Sequence, residues 1–199
     1  MLSDYNIISL GDHCALPHIL QHMNIRKKSY PFDWISHFDQ ILDTNIMINF
    51  SIIEHLFDTK NIDSTLKLFL GDGVTLNALH NYNWFPHEHG TIEENTEKYK
   101  RRFERLYNDI QHEKNLFLML TRIVYIKQRD FDRILNFIMQ FNPHNKILFI
   151  SGCHHEYLNS PQYKDSVIFK YIYYDHTKFY QYDWSDFRPR IKDYLVSLF

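Results

Sequence analysis

Two stretches, Leu116-Phe117-Leu118-Met119-Leu120-Thr121-Arg122 and Lys146-Ile147-Leu148-Phe149-Ile150-Ser151, decide the fold class. Each is a short, nearly continuous apolar run, the pattern of a parallel strand covered on both faces. Between them, Asp130 to Phe141 carries apolar residues at helical spacing, so the segment reads strand, helix, strand. Downstream, Val167 to Tyr174 is a third strand candidate, and Trp184 to Phe199 closes the chain as an amphipathic helix. Upstream, Tyr5 to Leu10 is an apolar run ended by Gly11-Asp12. Ala15 to Met23 follows as a helix with Leu16, Ile19, Leu20 and Met23 on one face; Pro17 is tolerated in its first turn. Thr91 to Lys114 is the clearest helix, with Glu93, Glu94 and Glu97 near the positive end of its dipole. The region between is mixed. Ile35 to Asn49 and Ile52 to Phe57 read as helices, Leu66 to Leu70 as an edge strand, Gly71-Asp72-Gly73 as a turn, and Trp84 to Gly90 as a loop. The alternation implies an α/β fold: a largely parallel β-sheet flanked by helices on both faces, with residues 1–199 in a single domain.

Composition narrows the classes without naming an activity. The 199 residues are 44% hydrophobic and 23% charged with a net charge of -2, enough apolar mass for a core and too little charge for a disordered chain. The near-neutral balance gives no electrostatic case for nucleic-acid binding. No apolar run approaches the roughly 20 residues of a membrane span. The opening Met1-Leu2-Ser3-Asp4-Tyr5 lacks the basic and apolar regions of a secretion signal, so a cytoplasmic setting is expected. Two cysteines, Cys14 and Cys153, form no disulfide framework and no CxxC, which fits a reducing compartment. Cys153-His154-His155-Glu156 crowds its side chains too closely for all to converge on one ion, so no metal site is expected. Neither GxGxxG nor the Walker pattern occurs, and no cofactor is expected. Histidine is abundant, at 13 residues, so no single one marks a site by its presence.

Chemistry is expected at the carboxyl ends of the strands, where open parallel sheets bind ligands. Gly11-Asp12-His13-Cys14 lies there, on the loop into the first helix. Backbone N–H groups at a helix start stabilise negative charge, so a cysteine there tends towards the thiolate that cysteine hydrolases use. The same residue would equally suit a small buried side chain under the helix. A nucleophilic cysteine needs a proton acceptor. His87 and His89 lie on the Trp84 to Gly90 loop, His13 is adjacent to Cys14, and His176 follows a strand at the same edge of the sheet. Asp33, in Pro31-Phe32-Asp33-Trp34, sits among large aromatics; it could orient a histidine, bind a backbone turn, or cap a helix running from Trp34. The basic stretch Lys98-Tyr99-Lys100-Arg101-Arg102-Phe103-Glu104-Arg105 could face anionic groups or be a solvated helix face.

Ser9-Leu10-Gly11-Asp12-His13-Cys14, Pro31-Phe32-Asp33-Trp34, Lys98 to Phe103, Leu116 to Arg122 and Lys146 to Ser151 occur in one order across most of the chain. In that order they resemble an uncharacterised bacterial and viral domain family grouped with the papain-like cysteine peptidases. Its pattern runs Ser-Leu-Gly-x-x-Cys, Pro-Phe-Asp-Trp, a mid-chain histidine, an Arg-Arg-x-x-Phe-like helix and a Phe-x-Arg strand; here Phe103 follows Arg102 directly and the strand ends Leu120-Thr121-Arg122. The resemblance implies Cys14 as nucleophile, His87 as base and Asp33 as its orienter. Gly11, Asp12, His13, Arg122 and His176 would then stand around a peptide, ester or glycan-linked substrate. Two other readings stay open. An esterase or acyltransferase of the Gly-Asp-Ser type would use Asp175-His176, with His13 at the usual serine position. A non-catalytic nucleotide- or sugar-binding, or glycan-modifying, domain would use Arg122 and the basic helix.

Overall fold

The computed structural model describes residues 2–10, 15–37, 45–71, 73, 79–80, 83–85, 87–122, 125–173 and 187–199. In chain order the elements are β1 (Asn6–Ser9), α1 (Ala15–His22), β2 (Ser36–His37), α2 (Asn45–Thr59), α3 (Ile62–Leu70), β3 (Leu79–His80) and β4 (Asn83–Trp84). They continue with α4 (Ile92–His112), β5 (Asn115–Thr121), α5 (Gln128–Phe141), β6 (Lys146–Ser151), β7 (Val167–Tyr171) and α6 (Phe187–Leu198). β1, β5, β6 and β7 form a sheet in that spatial order, every pair parallel.

The strands explain why the apolar runs carry no polar alternation. Ile8, Phe117, Met119, Ile147 and Phe149 face one way, into a core shared with α2, α3, α4 and α5. Their neighbours Ile7, Leu116, Leu118, Leu120, Leu148 and Ile150 face the other way, against Leu16, Ile19 and Leu20 of α1 and Phe187, Ile191 and Leu195 of α6. All seven residues of β5 are buried. With successive side chains on opposite faces, a strand between two helical layers must be apolar throughout. The α/β architecture with helices on both faces of a parallel sheet is therefore present. Among the described residues no helix is long and apolar enough to cross a membrane.

Two local expectations are overturned. Leu66 to Leu70 is not an edge strand but the second half of α3. Taken over the longer stretch, Leu66, Phe69 and Leu70 recur at helical spacing and are all buried. The helix is set at its start by Asn61, whose side chain accepts from the Ser64 N–H at 2.9 Å. The residues after Ile35 form the strand β2 rather than the first turn of a helix; residues 38–44 lie outside the described residues, and α2 begins at Asn45. The expected helix from Thr91 is α4, held by a reciprocal cap in which the Thr91 hydroxyl accepts from Glu94 N–H and the Glu94 carboxylate accepts from Thr91 N–H. Gly90 precedes it at φ +103, a backbone shape that favours glycine, and a Cβ there would run into the Glu94 carboxylate that closes this cap.

A second, small sheet joins the Pro31–Trp34 turn to the loop that carries His87. β2, β4 and β3 form an antiparallel ribbon in that order, with Ser36 opposite Trp84 and His37 opposite Asn83. β2 directly follows the Pro31–Trp34 turn, and β4 directly precedes the loop that carries His87. Backbone pairing thus brings two segments about fifty residues apart in sequence side by side.

Candidate active site

The loop after β4 is pinned at two points with a histidine between them. Phe85 is fully buried against Phe69 and Tyr99, with ring centres 5.6 Å from each. Glu88 is only 2% exposed, and its carboxylate is held entirely by α4. Its Oε1 accepts from the Tyr99 hydroxyl at 2.9 Å and from Arg102 Nη1 at 3.3 Å, while Lys98 Nζ pairs with Oε2. Burial alone would raise the Glu88 carboxyl, but Lys98, Arg102 and Tyr99 together outweigh it and hold the group below its ordinary range. His87, between these anchors, is exposed.

The His87 ring meets two others edge-on: His18 of α1 at 5.7 Å and Trp34 at 5.6 Å. His18 and Trp34 close the triangle at 5.2 Å. His18 lies four residues after Cys14, on the helix that Cys14 directly precedes. Three segments therefore converge: α1 through His18, the Pro-Phe-Asp-Trp block through Trp34 and the mid-chain loop through His87. Burial lowers the His18 pKa from its ordinary value, and the neighbouring Arg188, His87, His22 and Arg26 lower it further.

Asp33 enters the cluster through its neighbours. Its Oδ2 accepts from the Tyr30 N–H at 2.8 Å, and Asp33 N–H returns a bond to the Tyr30 carbonyl at 3.3 Å, closing a turn. The same oxygen pairs with Arg26 Nε at 3.5 Å, and the Arg26 guanidinium lies 4.8 Å from the Trp34 ring centre. Asp33 therefore closes a turn and does not cap a helix, since β2 and not a helix follows Trp34. Arg26 and Glu88 had no signal in the sequence beyond their charge. What reveals them is burial at the ends of packed elements.

Asp33 carries a testable pH signature. Burial pushes its carboxyl from the ordinary 3.8 to about 6, against the opposing pull of Arg26 and the Tyr30 N–H. The folded chain then keeps a proton that the unfolded chain has lost between those values. Stability from this group is present below 3.8 and is lost as the pH rises through about 6. The displacement corresponds to about 3 kcal/mol. Urea unfolding of the wild type and Asp33→Asn across that window is expected to show the wild type losing stability relative to the variant as the pH rises. Parallel profiles would refute the assignment.

The basic stretch of α4 faces inward in part. Lys98 and Arg102 hold Glu88, Arg105 Nη1 donates to the Ser29 carbonyl at 2.6 Å, and Lys100 pairs with Asp63 at 3.2 Å. Lys98, Arg102 and Arg105 thus fasten two segments beside the candidate site to α4, while Lys100 makes an exposed pair with α3, so the stretch is neither a simple solvated face nor an open anion-binding face.

The carboxyl ends of β5 and β6 are tied to each other. Thr121 Oγ1 and Ser151 Oγ share a hydrogen bond of 2.8 Å, and Cys153 N–H donates to Ser151 Oγ at 3.0 Å. Arg122 follows β5 directly and is half-buried. His155, 1% exposed, accepts the Ile126 N–H at Nε2 (3.0 Å) and donates from Nδ1 to the Cys153 carbonyl (3.1 Å), which fixes it as neutral imidazole. Burial also lowers its pKa. Burial pushes the Cys153 thiol up, the wrong direction for a nucleophile. Among the described residues no group of three or more His, Cys, Asp or Glu could hold a metal ion. Gly11, Asp12, His13, Cys14 and the Asp175-His176 pair lie outside the described residues.

A family model with the description "Putative papain-like cysteine peptidase" matches residues 5–156. No curated protein and no solved structure matches the chain.

Proposed function

Since the chain belongs to that family, we propose that it is a cysteine-dependent hydrolase in which Cys14 is the nucleophile and His87 the base. The observation that supports this most directly is the contact between the His87 ring and His18, on the helix that begins immediately after Cys14. Among the described residues, His87 is a loop histidine held against that helix by a ribbon on one side and a buried carboxylate on the other.

His87 takes the Cys14 thiol proton; the resulting thiolate attacks a carbonyl carbon, a C–S bond forms, and the carbonyl electron pair moves to oxygen. N–H groups at the start of α1 stabilise that oxyanion. Collapse expels the amine or alkoxide, which takes its proton from His87, leaving a thioester. His87 then removes a proton from water, whose oxygen bonds the thioester carbon and releases the thiolate. Trp34 provides a rigid wall for the imidazole, and Arg26, fastened by Asp33, backs that wall. Asp33 thus acts as a positioning residue. The substrate would be a peptide, ester or glycan-linked carbonyl compound in a reducing, cytoplasmic setting.

A panel of activated amides and esters tests the reading. Cys14→Ala is expected to lower turnover by about 1,000-fold or more while the circular dichroism spectrum and melting point stay unchanged. Undiminished turnover in Cys14→Ala would end it.

A further inference from the structure

A cleft of about 430 Å³ opens between α1 and α6. Among the described residues, His18, Ile19 and His22 line it from α1, and Arg188, Pro189 and Lys192 from α6, with Asp193 as the one carboxylate. Two permanent cations against one acid make this described lining positive. Among the described residues no carboxylate lies within ion-pairing distance of Arg188 or Lys192. Arg190, by contrast, spends a guanidinium N–H on the Tyr173 carbonyl at 2.7 Å. His22 Nδ1 is bonded to the His18 carbonyl at 2.8 Å, which makes Nδ1 the donor.

The volume falls within the range of small-ligand pockets and exceeds what a bare ion needs. Ile19 and Pro189 add apolar wall, which suits an anion carried on a larger organic group. Placement gives the cleft its meaning. His18 is at once part of its lining and the ring that His87 touches. Burial first, and then the nearby guanidinium of Arg188, disfavour a charge on this ring. An anion in the cleft would offset the charge of Arg188.

We propose that the cleft between α1 and α6 is a substrate subsite for an anionic group, a carboxylate or a phosphate, carried beside the bond that is cut. Its position next to a reaction centre rests on the assignment of Cys14 and His87; its capacity to bind anions does not. Arg188 offers a planar fork suited to either oxyanion, and Lys192 a point charge.

Calorimetric titration of the full-length Cys14→Ala chain with phenyl phosphate and with phenylacetate tests the subsite without any turnover. Saturable binding of at least one probe is expected. Preference for phenyl phosphate assigns a phosphorylated substrate, and preference for phenylacetate a carboxylated one such as an acidic side chain. Replacing both cations, Arg188→Ala with Lys192→Ala, is expected to weaken binding about 10-fold or more. The single reversal Lys192→Glu, on the exposed side of α6, gives the same direction should the double variant fold poorly. No saturable binding of either probe, or binding unchanged in these variants, overturns the subsite. Failure of Cys14 to behave as a nucleophile would instead overturn only the catalytic assignment.

Discussion

At pH 6, iodoacetamide is expected to alkylate Cys14 about 10-fold faster than Cys153, and His87→Ala is expected to erase most of that difference. An ordinary thiol with a pKa of about 8.5 is about 0.3% ionised at that pH, whereas one lowered to about 6 is about half ionised. The thiolate fraction thus rises more than about 100-fold. A thiolate of lower basicity is also a weaker nucleophile, and a Brønsted slope of about 0.4–0.5 takes back roughly tenfold, leaving a net gain of about ten. Cys153 is the internal standard, because burial pushes its thiol in the opposite direction. Mass spectrometry assigns the label to each site. The plot of Cys14 rate against pH should rise below pH 7 in the wild type and shift towards pH 8 to 9 in His87→Ala. Equal rates at the two cysteines of the wild type would remove the thiolate from the mechanism.

The second large effect belongs to Glu88. Replacing it with alanine leaves Arg102 and Lys98 without their shared carboxylate and Tyr99 without its acceptor in a buried position. Breaking one side of such a network costs about 3 kcal/mol. Glu88→Gln keeps an acceptor for Tyr99 and is expected to cost less. The effect has a defined pH window. Because the folded carboxyl lies below the ordinary 4.5, its contribution is complete above that value and is lost as the pH falls through the lowered folded value. The gap between wild type and Glu88→Ala in urea unfolding should therefore be full at pH 7 and shrink towards pH 3. The same variant unpins the loop that carries His87, so Cys14 alkylation at pH 6 is expected to fall towards the His87→Ala rate. An unchanged urea midpoint at pH 7 would show that the carboxylate contributes nothing to holding this loop.

The parts of the fold legible from residues alone were those whose chemistry repeats over enough positions to be unambiguous. β5 and β6 are apolar along nearly their whole length because both of their faces are covered, and no other short element requires this. α4 announces itself by a capping residue, a reciprocal glutamate and a long amphipathic run. Leu66 to Leu70 misled because five apolar-rich residues fit strand and helix equally well; only the nine residues from Ile62, with the Asn61 cap, separate the two. The β2–β4 pairing had no sequence signature at all, since two residues on each side are too few to show any periodicity.

The candidate site divides the same way. Cys14 could be picked out in the sequence because it stands between an apolar strand and a helix, and Asp33 because it is a carboxylate set among aromatics. Choosing His87 among 13 histidines was beyond residue order alone, because any loop histidine can accept a proton. What tertiary structure adds for this histidine is its placement: the ribbon brings the loop to the Pro-Phe-Asp-Trp turn, Glu88 fastens it to α4, and the ring comes to rest against α1. Layer architecture follows from which side chains avoid water, a property each residue carries by itself. The meeting of a helix start, a turn and a loop depends on hydrogen bonds and ion pairs between residues far apart in the chain, and no residue carries that information until the backbone has folded.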